Sequence, residues 1–172
     1  MKSAPVPPIT KRTPPIARCV ATVFYVGHIP FAPGTFGSLS GLFFLAPWFM
    51  AGGSVRVLVF MCVLCCFIGL WATDRFLKHI NFEHSDPKEI VIDEVLGLWL
   101  TVLLTAFWVP ITWQILLMSF VAFRIFDIVK PFPIDYVDEQ LAKYPKTAAL
   151  GVMADDCLAA LFAAFWVVVV VG

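Results

Sequence analysis

Four stretches of the chain carry no Lys, Arg, Asp or Glu: residues 19–55, 57–73, 95–123 and 157–172. Charges collect between them, in the N-terminal tail, at 74–94 and at 124–156, with Arg56 alone between the first two stretches. Long uncharged apolar runs separated by short polar segments are the pattern of helices in a membrane. Residues 57–73 would form a helix of roughly 26 Å, close to the roughly 30 Å hydrocarbon core. Leu39 to Met50, with its flanks, is the next candidate, giving an expected span near 37–54. Pro110 divides 95–123 into two halves, each short for a full crossing. These halves suit a helical hairpin, a re-entrant pair or the core helices of a compact bundle. Residues 134–146 read as an amphipathic helix at the interface, and 157–172 as a last apolar helix. The expected fold is all-α: a multihelical bundle, integral to or embedded in a membrane.

Helix punctuation refines the picture. Asp86-Pro87-Lys88-Glu89 has the form of a helix start, with Asp as N-cap, Pro at the first position and Glu closing a capping box. That would put Asp93 and Glu94 inside the helix, with Gly97 one turn on, leaving room for something to approach. Pro33-Gly34-Thr35-Phe36-Gly37-Ser38 reads as a glycine-rich turn before the apolar segment from Leu39. Backbone amides in such a turn can hold an anion, although a plain inter-helix loop has the same composition. Residues 1–18 hold five of the 13 prolines and four of the 12 basic residues. They read as a disordered basic arm on the cytoplasmic side, ahead of one domain over 19–172.

Composition agrees with the pattern. The 172 residues are 60% hydrophobic and 14% charged, against roughly 25% charged in soluble domains. Net charge is zero, so no bulk attraction favours nucleic acid. Cys62, Cys65 and Cys66 lie in one apolar run without a neighbouring His. They read as small hydrophobes, not as a disulfide framework or zinc site.

The charges at the edges of the apolar runs carry the candidate chemistry. Arg124, Asp127 and Lys130 recur at spacings of three, so one helix face presents all of them before Pro131 and Pro133 stop the helix. An Arg124–Asp127 ion pair explains part of this, but Asp127 falls in the last turn, where the helix dipole disfavours a carboxylate. Asp93/Glu94 and Asp155/Asp156 are two further acidic groupings. Asp155 and Asp156 read as the start of the last helix, where the dipole would welcome them.

Adjacent carboxylates in a low-dielectric site repel, and a divalent cation relieves the repulsion. All-oxygen ligation by Asp93, Glu94, Asp127, Asp155 and Asp156 suits Mg²⁺ together with phosphate oxygens. Arg124 and Lys130, with Thr35, Gly37 and Ser38 of the glycine-rich turn, are the natural phosphate contacts. Asp127, Asp93, Arg124 and Lys130 are the candidate catalytic residues of a phosphoryl-handling site at a membrane surface. Metal-assisted hydrolysis is the expected reaction, since no cysteine phosphatase motif or Asp-x-Asp pair is present. His84 could approach Asp93 from the preceding loop.

Four ordered motifs resemble the phosphatidylglycerophosphatase A family. They are Pro33-Gly34-Thr35-Phe36-Gly37-Ser38, Ile90 to Gly97, Phe123 to Pro133, and Gly151-Val152-Met153-Ala154-Asp155-Asp156. The resemblance covers about 19–172. It implies an all-helical enzyme that hydrolyses phosphatidylglycerophosphate to phosphatidylglycerol with Mg²⁺. It also implies a protein of the bacterial inner membrane. With the basic arm inside and one pair of spans returning the chain, the expected topology is multi-pass with all four motifs facing the cytoplasm. The alternative from another class is a small ion- or proton-coupled transporter, because charges beside apolar segments often mark ion pathways. Against it, the charges sit at segment edges and the chain is short for two gating halves. A lipid-phosphate alcohol transferase would carry a longer Asp/Gly/Ala-Arg pattern that is absent here.

Overall fold

The computed structural model describes residues 14–78, 88–142 and 147–172. Among the described residues there are seven α-helices and no strand. In order they are α1 (Pro15–Ala21), a short 3₁₀ turn (Val26–His28), α2 (Pro33–Met50), α3 (Val55–Leu77), α4 (Ile92–Ala106), α5 (Trp113–Val129), α6 (Ile134–Ala142) and α7 (Ala148–Val171).

The last helix is the hub. Both α4 and α5 pack on α7, α2 packs on α4, and α1 packs on α3. Close approach depends on small side chains: Ala159, Ala160, Ala163 and Ala164 of α7 are all buried. Gly97 of α4 is tighter still, because a Cβ there would run into the Phe123 ring of α5 and press on Asp156 Cβ at 3.3 Å. The approach anticipated beside Gly97 is therefore made by neighbouring helices. One core joins α2, α3, α4, α5 and α7, with Phe123, Leu45, Leu58 and Leu98 fully buried. A smaller core of Ala21, Ala72, Phe76, Ile90 and Val152 closes the polar end.

The exterior is apolar. Phe43 and Phe44 of α2, Phe60 and Phe67 of α3, Ile125 of α5 and Phe165 of α7 are exposed. Two helices, α3 and α7, are long and apolar enough to cross a membrane. The span expected at 57–73 is the centre of α3. The stretch expected as a span at 37–54 falls largely in α2, which is not one of these two helices; it carries Pro47 inside it and buries Ser38. Pro110 does separate two helices, α4 and α5.

Three helix starts differ from expectation. α2 begins at Pro33, so the glycine-rich turn is already helical; Pro at the first position is pre-set for this. α4 begins at Ile92, not near Pro87: Val91 stands outside the helical region, at φ −143° and ψ 11°, and its N–H donates to Ala21 O at 2.9 Å. Gly27 also lies so close to the Glu89 backbone that no side chain would fit there. Asp86 and Pro87 lie outside the described residues, and Lys88 and Glu89 form a turn. α7 begins at Ala148, so Asp155 and Asp156 stand two turns inside the helix. The dipole at a helix start does not account for them. Residues 15–18, expected in the basic arm, belong to α1, while 1–13 lie outside the described residues.

Candidate active site

The polar residues converge at one end of the bundle. α5 stops at Val129 because Lys130 turns left-handed, at φ 42° and ψ 60°, with its N–H donating to Phe126 O. Pro131 then cannot continue the helix. A lysine in this region carries strain of about 1 kcal/mol or more, tolerated where the surroundings dictate it. Here the reversal sends the ammonium to α7, where Nζ lies 2.6 Å from Asp155 Oδ2.

One turn back, Arg124 Nη1 lies 2.6 Å from Asp127 Oδ2, both side chains being largely buried. The ion pair expected from the spacing exists, yet it is only part of the arrangement. Arg124 Nη1 also donates to Ser38 Oγ of α2 at 3.3 Å, and that hydroxyl donates to Gly34 O at 3.0 Å. Ser38 is fully buried, so it orients the guanidinium and does not reach a ligand. Gly37 is likewise a packing residue: a Cβ there would stand 2.7 Å from Val91 Cβ. Neither is on the cavity lining, whereas Thr35 is. Gly34 lines it too, and a Cβ there would overlap Glu94 Oε1 and crowd Arg124.

α4 contributes Asp93 and Glu94 from its first turn, where the dipole favours acids. Asp93 is 8% exposed and its Oδ1 accepts from the Glu94 N–H at 3.0 Å. Asp155 and Asp156 of α7 are 5% and 4% exposed. Burial pushes the Asp93 carboxyl well above the usual range, and the adjacent Glu94 adds to the rise. Burial also pushes Glu94 up to about 8, with Asp156 and Asp127 adding repulsion against the relief given by Asp93 and Arg124.

Together these groups line a cavity of about 690 Å³. The expected acids all meet there: Asp93, Glu94, Asp127, Asp155 and Asp156, with Arg124, Lys130 and Thr35. Lys88 is an exposed further cation on the lining. Reading Lys88 as part of a capping box hid this role; its signal was only its place five residues before Asp93. His84 lies outside the described residues. His28 pairs instead with Arg18, at 2.7 Å.

The donor set fits a hard divalent cation. Asp93, Glu94 and Asp156 each bring one carboxylate oxygen within 4.8 Å of the others, and so do Asp127, Asp155 and Asp156. Glu94 Oε2 and Asp156 Oδ2 are buried without a hydrogen-bond partner, which is costly for a carboxylate unless a cation takes the lone pair.

An apolar helical body with acids and cations gathered at one end belongs to the class of membrane-associated enzymes that handle phosphate groups. The chain belongs to the phosphatidylglycerophosphatase A family, whose model matches residues 19–171. It is 36% identical over 145 residues to a phosphatidylglycerophosphatase A of Haemophilus influenzae, covering 84% of this chain and 82% of the relative. A protein of the same name from Escherichia coli is 32% identical over 84% of this chain and 77% of the relative. A putative phosphatidylinositol-3-phosphatase of Bacteroides thetaiotaomicron is 33% identical, over 83% and 86%. No solved structure matches. The chain is thus a phosphatase, and the transporter alternative falls away.

Proposed function

We propose that this phosphatase hydrolyses phosphatidylglycerophosphate to phosphatidylglycerol and inorganic phosphate, with Mg²⁺ as cofactor, at the bacterial cytoplasmic membrane. The observation that carries the reading is the cavity itself: five carboxylates and three cations enclosed at the rim of an apolar exterior. Asp93, Glu94, Asp127, Asp155 and Asp156 would hold the metal. Bound there, Mg²⁺ supplies charge neutralisation for the phosphate and an activated water. Arg124 and Lys130, with Lys88 and Thr35, would bind the phosphate oxygens. Ser38 and Asp127 fix the Arg124 guanidinium so that it need not be ordered when substrate arrives. Water adds to phosphorus, the bond from phosphorus to the glycerol oxygen breaks, and the proton given up by the water ends on the departing alkoxide.

A lipid substrate is supported by the surface beside the cavity. The α2 N-terminus separates the polar cavity, reached by Thr35, from an apolar groove of about 400 Å³ lined by Phe24, Ile29, Phe36 and Phe43. A headgroup in the first could leave an acyl chain in the second. The names of the relatives agree on a phospholipid monophosphate and differ in headgroup. In the proposed topology α3 and α7 cross the membrane within a multi-pass bundle, and the cavity faces the cytoplasm. A cysteine placed at Gln140 that reacts only with a reagent added to the periplasmic side would contradict that orientation.

The test is phosphate release by the purified protein in detergent, from phosphatidylglycerophosphate and from phosphatidylinositol 3-phosphate, with Mg²⁺ and with excess EDTA. The expected result is release from the first lipid that EDTA abolishes. Undiminished release in EDTA would defeat the metal assignment, and preference for the inositol lipid or for a soluble phosphate ester the substrate assignment.

A further inference from the structure

The geometry points to two divalent cations in the cavity, bridged by Asp156. This rests on the divalent-cation reading above. The acids fall into two sets, Asp93/Glu94/Asp156 and Asp127/Asp155/Asp156, each with its ligand oxygens within 4.8 Å, and Asp156 alone is common to both. Its carboxylate is 4% exposed and its Oδ2 has no hydrogen-bond partner. A carboxylate offers two oxygens, so one can face each set. Paired metals roughly 3.5–4 Å apart recur where phosphoryl groups are displaced, because one ion neutralises the attacking oxygen and the other the leaving oxygen.

Charge supports the count. Five carboxylates against Lys88, Arg124 and Lys130 leave the lining with an excess of two negative charges when metal ligands are ionised. One divalent ion brings it to neutrality. A second leaves two positive charges, which a phosphomonoester dianion balances. The sets differ in strength. In the second, Asp127 already faces Arg124 and Asp155 faces Lys130, each at 2.6 Å, so an incoming ion there competes with resident cations. The Asp93/Glu94/Asp156 ion therefore binds tighter.

The experiment is titration of the metal-free full chain in detergent with Mn²⁺, read by calorimetry and by low-temperature electron paramagnetic resonance. The expected result is two ions per chain in two steps, with the spectrum of a magnetically coupled pair once both are bound. Asp93→Asn should remove the tighter step and the coupling while leaving one ion on the other set. Asp155→Asn should remove the weaker step and leave the tight one, so the two variants together replace Asp156→Asn should it fail to fold. A single ion per chain, or two with uncoupled spectra, would overturn the bridged pair while leaving a metal enzyme. No Mn²⁺ binding at all would overturn the underlying metal reading as well.

Discussion

Lys130 Nζ stands 2.6 Å from Asp155 Oδ2, joining the left-handed end of α5 to the interior of α7 across 25 positions of sequence. This pair fixes one wall of the cavity, since Asp155 is almost wholly buried and Lys130 is about two-thirds so. Lys130→Met should cost about 2 kcal/mol, below the roughly 3–5 kcal/mol for breaking a fully buried pair. Activity should fall with it, because the variant also lacks one of the proposed phosphate contacts. Chemical denaturation of the metal-free protein checks the stability, and added Mg²⁺ should recover part of the loss.

Ser38→Ala removes the hydroxyl that accepts from Arg124 without touching the cavity wall. A positioning role predicts a loss of kcat/KM of about fivefold, the equivalent of roughly 1 kcal/mol for one hydrogen bond, carried mainly by KM. Unchanged kinetics would remove Ser38 from the account.

At Gly34 the prediction separates site from scaffold. Alanine favours a helix over glycine by about 1 kcal/mol, so α2 should persist in Gly34→Ala. Its Cβ would nevertheless displace the Glu94 carboxylate and crowd the guanidinium. Circular dichroism should be unchanged while turnover falls by about a hundredfold or more. Near-normal turnover would mean that the carboxylate can move aside harmlessly.

The acids set the pH dependence. Asp93 and Glu94 bind protons more tightly in the fold than in the unfolded chain, Glu94 at about 8 against an ordinary 4.5. Stability they contribute is present below the ordinary value and is lost as pH rises through the folded one. The metal-free protein should therefore melt at lower temperature at pH 8.5 than at pH 5.5. Mg²⁺ must displace those protons, so its stabilising effect should be larger at pH 8.5. A melting temperature that rises with pH in EDTA would contradict the burial of these acids.

The sequence made the acids and cations legible because charged residues bordering apolar runs are few, and each needs a reason to be there. Asp93, Glu94, Arg124, Asp127, Lys130, Asp155 and Asp156 all reach the cavity. Helix starts were less legible, because distant contacts set them: the Val91–Ala21 hydrogen bond holds back the start of α4. Ser38 and Gly37 looked like anion ligands because their composition suits a turn, and only the packing of α2 against Val91 and Arg124 turns them inward. Lys88 was missed for the converse reason, a local motif explaining a residue whose role is set by tertiary position.

Turnover of Asp127→Asn tests the assignment of this cavity as the catalytic centre most directly. The amide keeps the size and can still hydrogen-bond, but it lacks the charge that a hard cation and Arg124 require. If Asp127 served only as the i,i+3 partner of Arg124, turnover of the folded protein would change little, since Ser38 still holds the guanidinium. As part of the metal-holding set, it should cost at least about a hundredfold in phosphate release from phosphatidylglycerophosphate. Metal-free stability should fall by less than the roughly 3–5 kcal/mol of a broken buried pair, because one of several repelling carboxylates is neutralised as the Arg124 pair is lost. A loss of that size with the fold intact is the predicted result, and turnover close to wild type would contradict the assignment.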